Sequence, residues 1–376
     1  MITLFWVLLN VIIYTFLGYP LFLFIIAKCN KNKLEIKDIT PNISIIIAVH
    51  NEEAAIKNKL IQTLDLEYPQ EKLEIIVASD ASTDRTNEIV ESLNDKLVKL
   101  LVFTQHNGKT FVQNQAAVAA KGKILIFSDA TTEFQCQLLK KIVRNFADEE
   151  VGAVGGELVY KTEGKSCVGE GNGLYWRFEK FLKRKESQIT SLIGVSGCCY
   201  AVRKEYYEEI NPDLISDFVI SQLIYMKGKK VVYEPEAISY EDTNDNERDE
   251  FRMRVRVAVR TLYGLWHMKA LLNPFRYGFY SIQLISHKIL RYLFPICAII
   301  LFVVNVIICV QGYNFVLFLI LQILFYISAL LGLVFRKRKT CFRLPFYFCM
   351  TNIALLLGLF KFLGGERKIV WSPARE

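Results

Sequence analysis

The chain has 376 residues, 52% of them hydrophobic, with a net charge of +8 and a mean hydropathy of +0.25. That is too apolar for an ordinary soluble domain. The positive surplus does not mark a nucleic-acid binder, because it gathers beside long uncharged runs, where anionic lipid headgroups account for it.

The first such run, Met1 to Ala27, contains no charged side chain. A bilayer core takes about 20 apolar residues per helix. The run is too long for the apolar core of a signal peptide, and it lacks a basic start and a small-residue cleavage site. It is read as a retained membrane anchor, residues 1–27. Tyr292 to Phe335 is also uncharged and suffices for two spans, divided by the turn Gln311-Gly312-Tyr313-Asn314. Leu344 to Phe360 is a shorter third run, either a tilted span or an interfacial helix.

Charges beside the runs give an orientation. Lys28, Lys31 and Lys33 follow the first, Lys288 and Arg291 precede the second, and Arg336 to Lys339 follow it. The positive-inside rule then places the N-terminus outside and residues 28–290 in the cytosol, at a bacterial-type inner membrane. A full crossing by the last run would put Arg367, Lys368 and Arg375 outside, against the rule, so a re-entrant segment is the alternative. The nine cysteines show no C-x-x-C pair and no metal spacing, and a cytosolic domain does not call for a disulfide framework.

Between the runs the pattern alternates. Strands are predicted at "ISIIIAV", "LEIIVAS", "KLLVFTQ" and "KILIFSD", with helices at "EEAAIKNKLIQTL", "STDRTNEIVESL" and "KTFVQNQAAVAA". This alternation gives a doubly wound, mostly parallel sheet, and such sheets bind ligands at the carboxyl ends of their strands. Asp80 and Asp129 both stand at strand ends, so both are expected to face one crevice. The domain has neither a P-loop nor a G-x-G-x-x-G cradle. A divalent cation, Mg²⁺ or Mn²⁺, held by Asp129 would neutralise a diphosphate instead. Asp80 suits a hydrogen bond to a nucleoside base or ribose; either Asp is otherwise a helix cap or turn former. Residues 258–290, rich in aromatics, Arg, Lys and His, are predicted to form amphipathic helices in the membrane interface, with Trp266, Phe275, Tyr277 and Tyr280 at headgroup depth.

Seven segments in register carry a resemblance: "IIIAVHNEEAAI", "VASDASTDRT", "HNGKTFVQNQAA", "FSDATTEF", "LYWRFEKFLKRKESQITSLIGVSGCCYAVRKEYY", "LISDFVISQLIYMKGKKVVYEPEA" and "ERDEFRMRVRVAVRTLYGLW". In order they resemble a membrane-embedded family 2 glycosyltransferase of GT-A fold, of the kind that makes bacterial polysaccharides or glycolipids. Two departures stand out. Thr131 replaces the second Asp of the D-x-D motif. The Q-x-x-R-W region keeps its Arg but neither its Gln nor its Trp, which weakens the case for a long-polymer synthase.

The resemblance implies inverting transfer from a nucleotide-diphospho-sugar, with a UDP-sugar as the expected donor, to a glycan or lipid-linked acceptor. It puts the general base at Asp217, preceded by Ser216 where Glu is usual; Asp217 is alternatively a helix N-cap. Arg256, with Arg260 beside it, would meet the diphosphate, or else belong to a solvated basic helix face. Lys109 would touch the nucleotide or be a surface turn lysine. His50 and Glu52, just after the first strand, would border the base, with capping as the alternative for His50. The expected domains are a catalytic unit over 28–257, interfacial helices over 258–290, two or three membrane helices over 291–363 and a tail at 364–376. The rival reading is a non-catalytic subunit of a glycan-assembly complex, supported by Thr131 and Ser216.

Overall fold

A computed structural model of the chain describes residues 1–30, 34–161, 167–242, 246–335 and 340–366. The run β1, Ile43–Val49, is buried at every position. Its alternate side chains feed opposite cores, as the period of two requires. Ile45 and Ile47 pack with Ile56 and Leu60 of helix α2, Ile56–Leu64. Ile46 and Ala48 pack on the other side, with Val112 and Ala116. That is why the sequence shows a continuous apolar run rather than an alternation.

β1 pairs in parallel with β2, Leu73–Asp80, and β4, Ile124–Asp129, and β2 pairs in parallel with β3, Val98–Phe103. Helices α3, Thr86–Ser92, and α4, Lys109–Ala119, complete this half. The second half is mixed. It comprises β5, Glu133–Phe134, β6, Val151–Lys161, β7, Cys199–Arg203, and β8, Lys230–Asp242, in the order β3-β2-β1-β4-β7-β6-β8-β5. β7 runs antiparallel to both β4 and β6, and β5 to β8, while β6 and β8 pair in parallel, so the sheet is mostly parallel as expected, with the reversal confined to this half. Helices α5, Leu138–Val143, α6, Cys167–Ile189, and α7, Ser216–Met226, pack around this half.

The next helix corrects an expected boundary. α8 runs unbroken from Glu247 to His267, so the division placed at 257/258 falls inside one helix. Its start carries four favourable signals: the Asn246 side chain accepts from the Arg248 N–H, and Glu247, Asp249 and Glu250 stand in the first turn against the helix dipole. Past its end, Phe275 is 100% exposed, whereas Tyr280, expected at headgroup depth with it, is fully buried and stacks on Tyr225 with centroids 3.8 Å apart.

Among the described residues, four helices are long and apolar enough to cross a membrane: α1, Ile2–Cys29, α9, Phe279–Val310, α10, Val316–Phe335, and the greater part of α11, Thr340–Leu363. α1 and α9 each contain one π-helical turn, Tyr14–Gly18 and Ile285–Ile289, and these face each other through a 2.9 Å bond between the Tyr14 and Ser286 hydroxyls. At the other end Phe5 packs with Leu301, Val304 and Ile308, next to the turn at Gly312. α11 follows a different course. It leaves the end of α10 with Phe342 against Phe335, passes Phe348 against Phe16, Phe294 and Phe325, and finishes with Phe362 on Tyr263 of α8. Gly358 lies so close to α8 that a Cβ would meet that of Ala258 at 2.6 Å. Both ends of α11 therefore lie on the side of the α/β domain.

Candidate active site

The carboxyl end of β4 opens into a cleft of about 420 Å³, whose walls include Lys109, Asp129, Asp217, Glu241, Arg256 and Arg260; Asp80, at the end of β2 and expected to face the same crevice, is buried and does not line it. Each strand delivers its aspartate to a different task. Asp80 is 1% exposed, and its carboxylate is fully engaged with the following loop. Oδ1 accepts from the Asn107 N–H at 2.8 Å, Oδ2 accepts from the Gly108 N–H at 2.8 Å, and His106 Nδ1 lies 2.8 Å from Oδ2. This anchors Gly108, whose φ of +90° favours glycine, and so fixes the start of α4 and Lys109. His50 Nδ1 sits 2.5 Å from the Asp80 carbonyl oxygen, and the His50 and His106 rings stack with centroids 4.0 Å apart. They form a flat aromatic pair at the strand ends. Glu52 is structural at the same entrance: its N–H donates to Thr86 Oγ1 at 2.8 Å and its carbonyl accepts from Ile56 to start α2.

Asp129 is paired with the Lys109 ammonium. Burial pulls the Lys109 ammonium down, but Asp129 and then Asp217 outweigh it and hold it above its ordinary value. Lys59 lies behind this corner, 2% exposed, donating to Ser128 Oγ at 2.7 Å and to the Thr132 carbonyl at 2.6 Å. Burial lowers it to about 8. Glu241, at the end of β8, accepts from Thr132 Oγ1 at 2.9 Å; burial first, then Asp129, push it up to about 7. Lys59 and Glu241 are absent from the residues expected in the site.

The alternative reading of Asp217 as an N-cap is not met. Helix α7 starts at Ser216 with Ile215 as N-cap, and Asp217 lines the cleft. Ser216, where the resembling family has Glu, donates instead to Gln113 Oε1 at 2.7 Å and ties α7 to α4. Burial raises the Asp217 carboxyl above its ordinary value, against the pull of Lys109 and Arg260. Gly197 makes room for it, since a Cβ there would lie 2.8 Å from Asp217 Oδ2. Gly197→Ala is accordingly expected to displace the carboxylate while the fold persists, because the atom met is the tip of a side chain. A displacement of about 1 Å costs on the order of 10²-fold in rate, readable as turnover at unchanged thermal unfolding.

Arg252, Arg256 and Arg260, four residues apart on α8, have different surroundings. Arg252 is exposed beside Asp249. Arg260 donates to the Leu214 carbonyl at 2.8 Å. Arg256 lines the cleft and, among the described residues, has no hydrogen bond or ion pair; burial alone lowers its pKa. An unpaired cation in a cleft calls for an anion. Among the described residues no group of three or more His, Cys, Asp and Glu converges as a metal cage. Asp129 and Glu241 nevertheless offer two carboxylates at one corner, the hard oxygen donors a divalent cation takes, with phosphate oxygens or water completing the shell.

Residues 44–211 match the family model described as glycosyl transferase family 2. With the GT-A sheet and the cleft at its strand ends, the chain carries a family 2 glycosyltransferase domain. It is similar to the probable glycosyltransferase YdaM of Bacillus subtilis (strain 168), 25% identical over 63% of this chain and 58% of that protein. It is similar to the beta-monoglucosyldiacylglycerol synthase of Nostoc sp., 32% identical over 37% of this chain and 31% of that protein. A poly-beta-1,6-N-acetyl-D-glucosamine synthase of Staphylococcus aureus is 25% identical over 62% of this chain and 54% of its own. The chain thus spans about a third to three fifths of these relatives. Among solved structures, the mannosyltransferase PcManGT of Pyrobaculum calidifontis, in complex with GDP-Man and Mn²⁺, shares the fold with a TM-score of 0.74 at 22% identity, covering 97% of this chain and 100% of that one.

Proposed function

We propose that the chain is an inverting glycosyltransferase that moves a sugar from a nucleotide-diphospho-sugar, a UDP-sugar first among the candidates, to an acceptor at a membrane. The observation that carries this reading is the cleft itself: a carboxylate raised by burial, Asp217, faces the same space as a paired Lys109–Asp129 and an unpaired Arg256. His50 and His106 offer a stacking face for the base. Asp80 acts through the loop it holds, and Lys109 and Arg256 meet the leaving diphosphate. Asp129 and Glu241 would hold Mg²⁺ or Mn²⁺, which supplies charge neutralisation of the diphosphate when bound; Mn²⁺ in the fold's mannosyltransferase relative agrees with this. Asp217 takes the proton of the acceptor hydroxyl as that oxygen bonds to the anomeric carbon and the diphosphate departs. The test is release of nucleoside diphosphate by the purified full chain, with Mn²⁺, from a panel of nucleotide-sugars. Turnover of at least one donor is expected, and none from any donor would refute the reading.

The catalytic domain lies in the cytosol in this account, with α1, α9 and α10 crossing the inner membrane and α11 returning to the domain side. The basic flanks of the spans support that orientation. A cysteine introduced at exposed Asn94 is expected to resist an impermeant thiol reagent in intact cells and to react after lysis. Labelling in intact cells would reverse the topology.

A further inference from the structure

A second and a third cavity continue the cleft toward the membrane helices. The cleft shares Arg254, His287, Lys288, Tyr292 and Leu355 with a cavity of about 450 Å³ between α6, α9 and α11. That cavity shares Phe325, Phe348 and Asn352 with a third, of about 700 Å³, enclosed by α9, α10 and α11. The third is lined almost wholly by apolar side chains. Four of them, Ile299, Leu330, Leu333 and Ile353, are each more than half exposed, so the cavity is open at the surface of these apolar helices. The course of α11 makes this route, since its return to α8 roofs the cavities while leaving that opening.

The collar between apolar cavity and cleft is polar but largely self-satisfied. Arg291 donates to Glu179 Oε2 at 2.8 Å, Arg254 to Glu250 Oε1 at 2.7 Å, and His287 bridges Glu179 and Glu186 at 3.0 and 2.8 Å. Lys288 has no carboxylate partner among the described residues and lies 5.8 Å from the centroid of the Phe218 ring, next in sequence to Asp217. A collar of paired charges with one spare cation suits a small polar headgroup better than a multiply charged one. Asp217 points the same way. A base is needed for an alcohol, whereas a phosphate oxygen is already ionised and needs none.

We propose that the acceptor is a hydroxyl-bearing membrane lipid of the diacylglycerol or glycosyl-diacylglycerol class, which enters sideways with its chains in the 700 Å³ cavity and its hydroxyl at Asp217. This rests on the transferase reading above and names its acceptor. In the step, the lipid O–H proton passes to the Asp217 carboxylate. The lipid oxygen bonds to the anomeric carbon, and the bond from that carbon to the diphosphate oxygen breaks, its electron pair leaving with the nucleoside diphosphate.

The experiment uses the full chain in lipid nanodiscs. A diacylglycerol carrying a mid-chain photoreactive group is irradiated, and its adducts are mapped by peptide mass spectrometry. Transfer of labelled sugar is followed in parallel to diacylglycerol, to a polyprenyl phosphate and to a soluble oligosaccharide. Adducts on the segments around Ala298, Ala329 and Met350 and sugar on diacylglycerol are expected. Ala298→Trp is expected to fill the cavity, remove those adducts and raise KM for the lipid about tenfold, with less change in kcat, because it takes up space the acyl chains would occupy and leaves the cleft untouched. Adducts confined to the outward residues Leu317, Leu321 and Leu324, or sugar only on polyprenyl phosphate or oligosaccharide while donor turnover is normal, would overturn the lipid assignment. Adducts in the cavity without donor turnover would instead support the lipid seat and overturn the transferase reading.

Discussion

Asp217→Asn is expected to lower turnover by about 10²–10⁴-fold, the usual cost of losing a general base, with the fold and nucleoside diphosphate binding retained. Asn keeps the size of the side chain, and the helix loses no cap, because Ile215 and not Asp217 is the N-cap. Only the first-turn charge is lost, on the order of 0.3–1 kcal/mol. The linkage runs the other way. Burial raises the Asp217 carboxyl above its ordinary 3.8, so the folded state holds that proton longer than the unfolded one, and stability from this group falls as pH rises through the folded value. Asn has no such loss, so the variant is expected to unfold at the same temperature as wild type at neutral pH, or higher. The acid limb of kcat/KM in the wild type is expected above 3.8 for the same reason. Steady-state kinetics beside thermal unfolding decide it: near-normal transfer by Asp217→Asn would remove the base assignment and revive a non-catalytic domain.

Asp129→Ala is expected to act on the donor instead. It removes the partner of Lys109 and one of the two carboxylates at the metal corner; loss of an outer-shell partner of a ligand already costs about 10–100-fold in metal affinity, so loss of the carboxylate itself is expected to cost at least that. Calorimetry of UDP binding should show Mn²⁺ strengthening binding to the wild type and doing little for the variant. Equal UDP affinity in Mn²⁺ and in excess chelator, for the wild type, would show that the corner holds no working cation. The pairing of Lys109 with Asp129 also leaves Lys109→Met an informative partner: it should weaken diphosphate binding whether or not metal is present.

The first half of the sheet is legible in the sequence because each strand there is a single apolar run followed by a helix with its own period. β1 and the start of α4 fall where the pattern places them. The second half is not, since β7 joins antiparallel between β4 and β6 and no local pattern announces a strand that turns back. The same limit hides Glu241, which reaches Asp129 only through the long β6–β8 pairing. Lys59 was within reach. Ile56, Lys59, Leu60 and Thr63 are the buried residues of α2, spaced as one helix face, and a lysine on that face has to find a polar partner. Asp80 was placed correctly at its strand end, but its bonds to Asn107 and Gly108 make it a holder of the loop, which sequence spacing does not reveal. The path of α11 is left open by the sequence, since its apolarity fits a crossing while the basic residues after it fit a re-entrant course, and its packing along α8 agrees with the second.

The most direct measurement is the anomeric configuration of the product. The full chain, with Mn²⁺ and the nucleotide-sugar it turns over, should give a product whose anomeric proton coupling in NMR shows the configuration opposite to that of the donor, as a single displacement assisted by Asp217 requires. A product that retains the donor's configuration would contradict the mechanism.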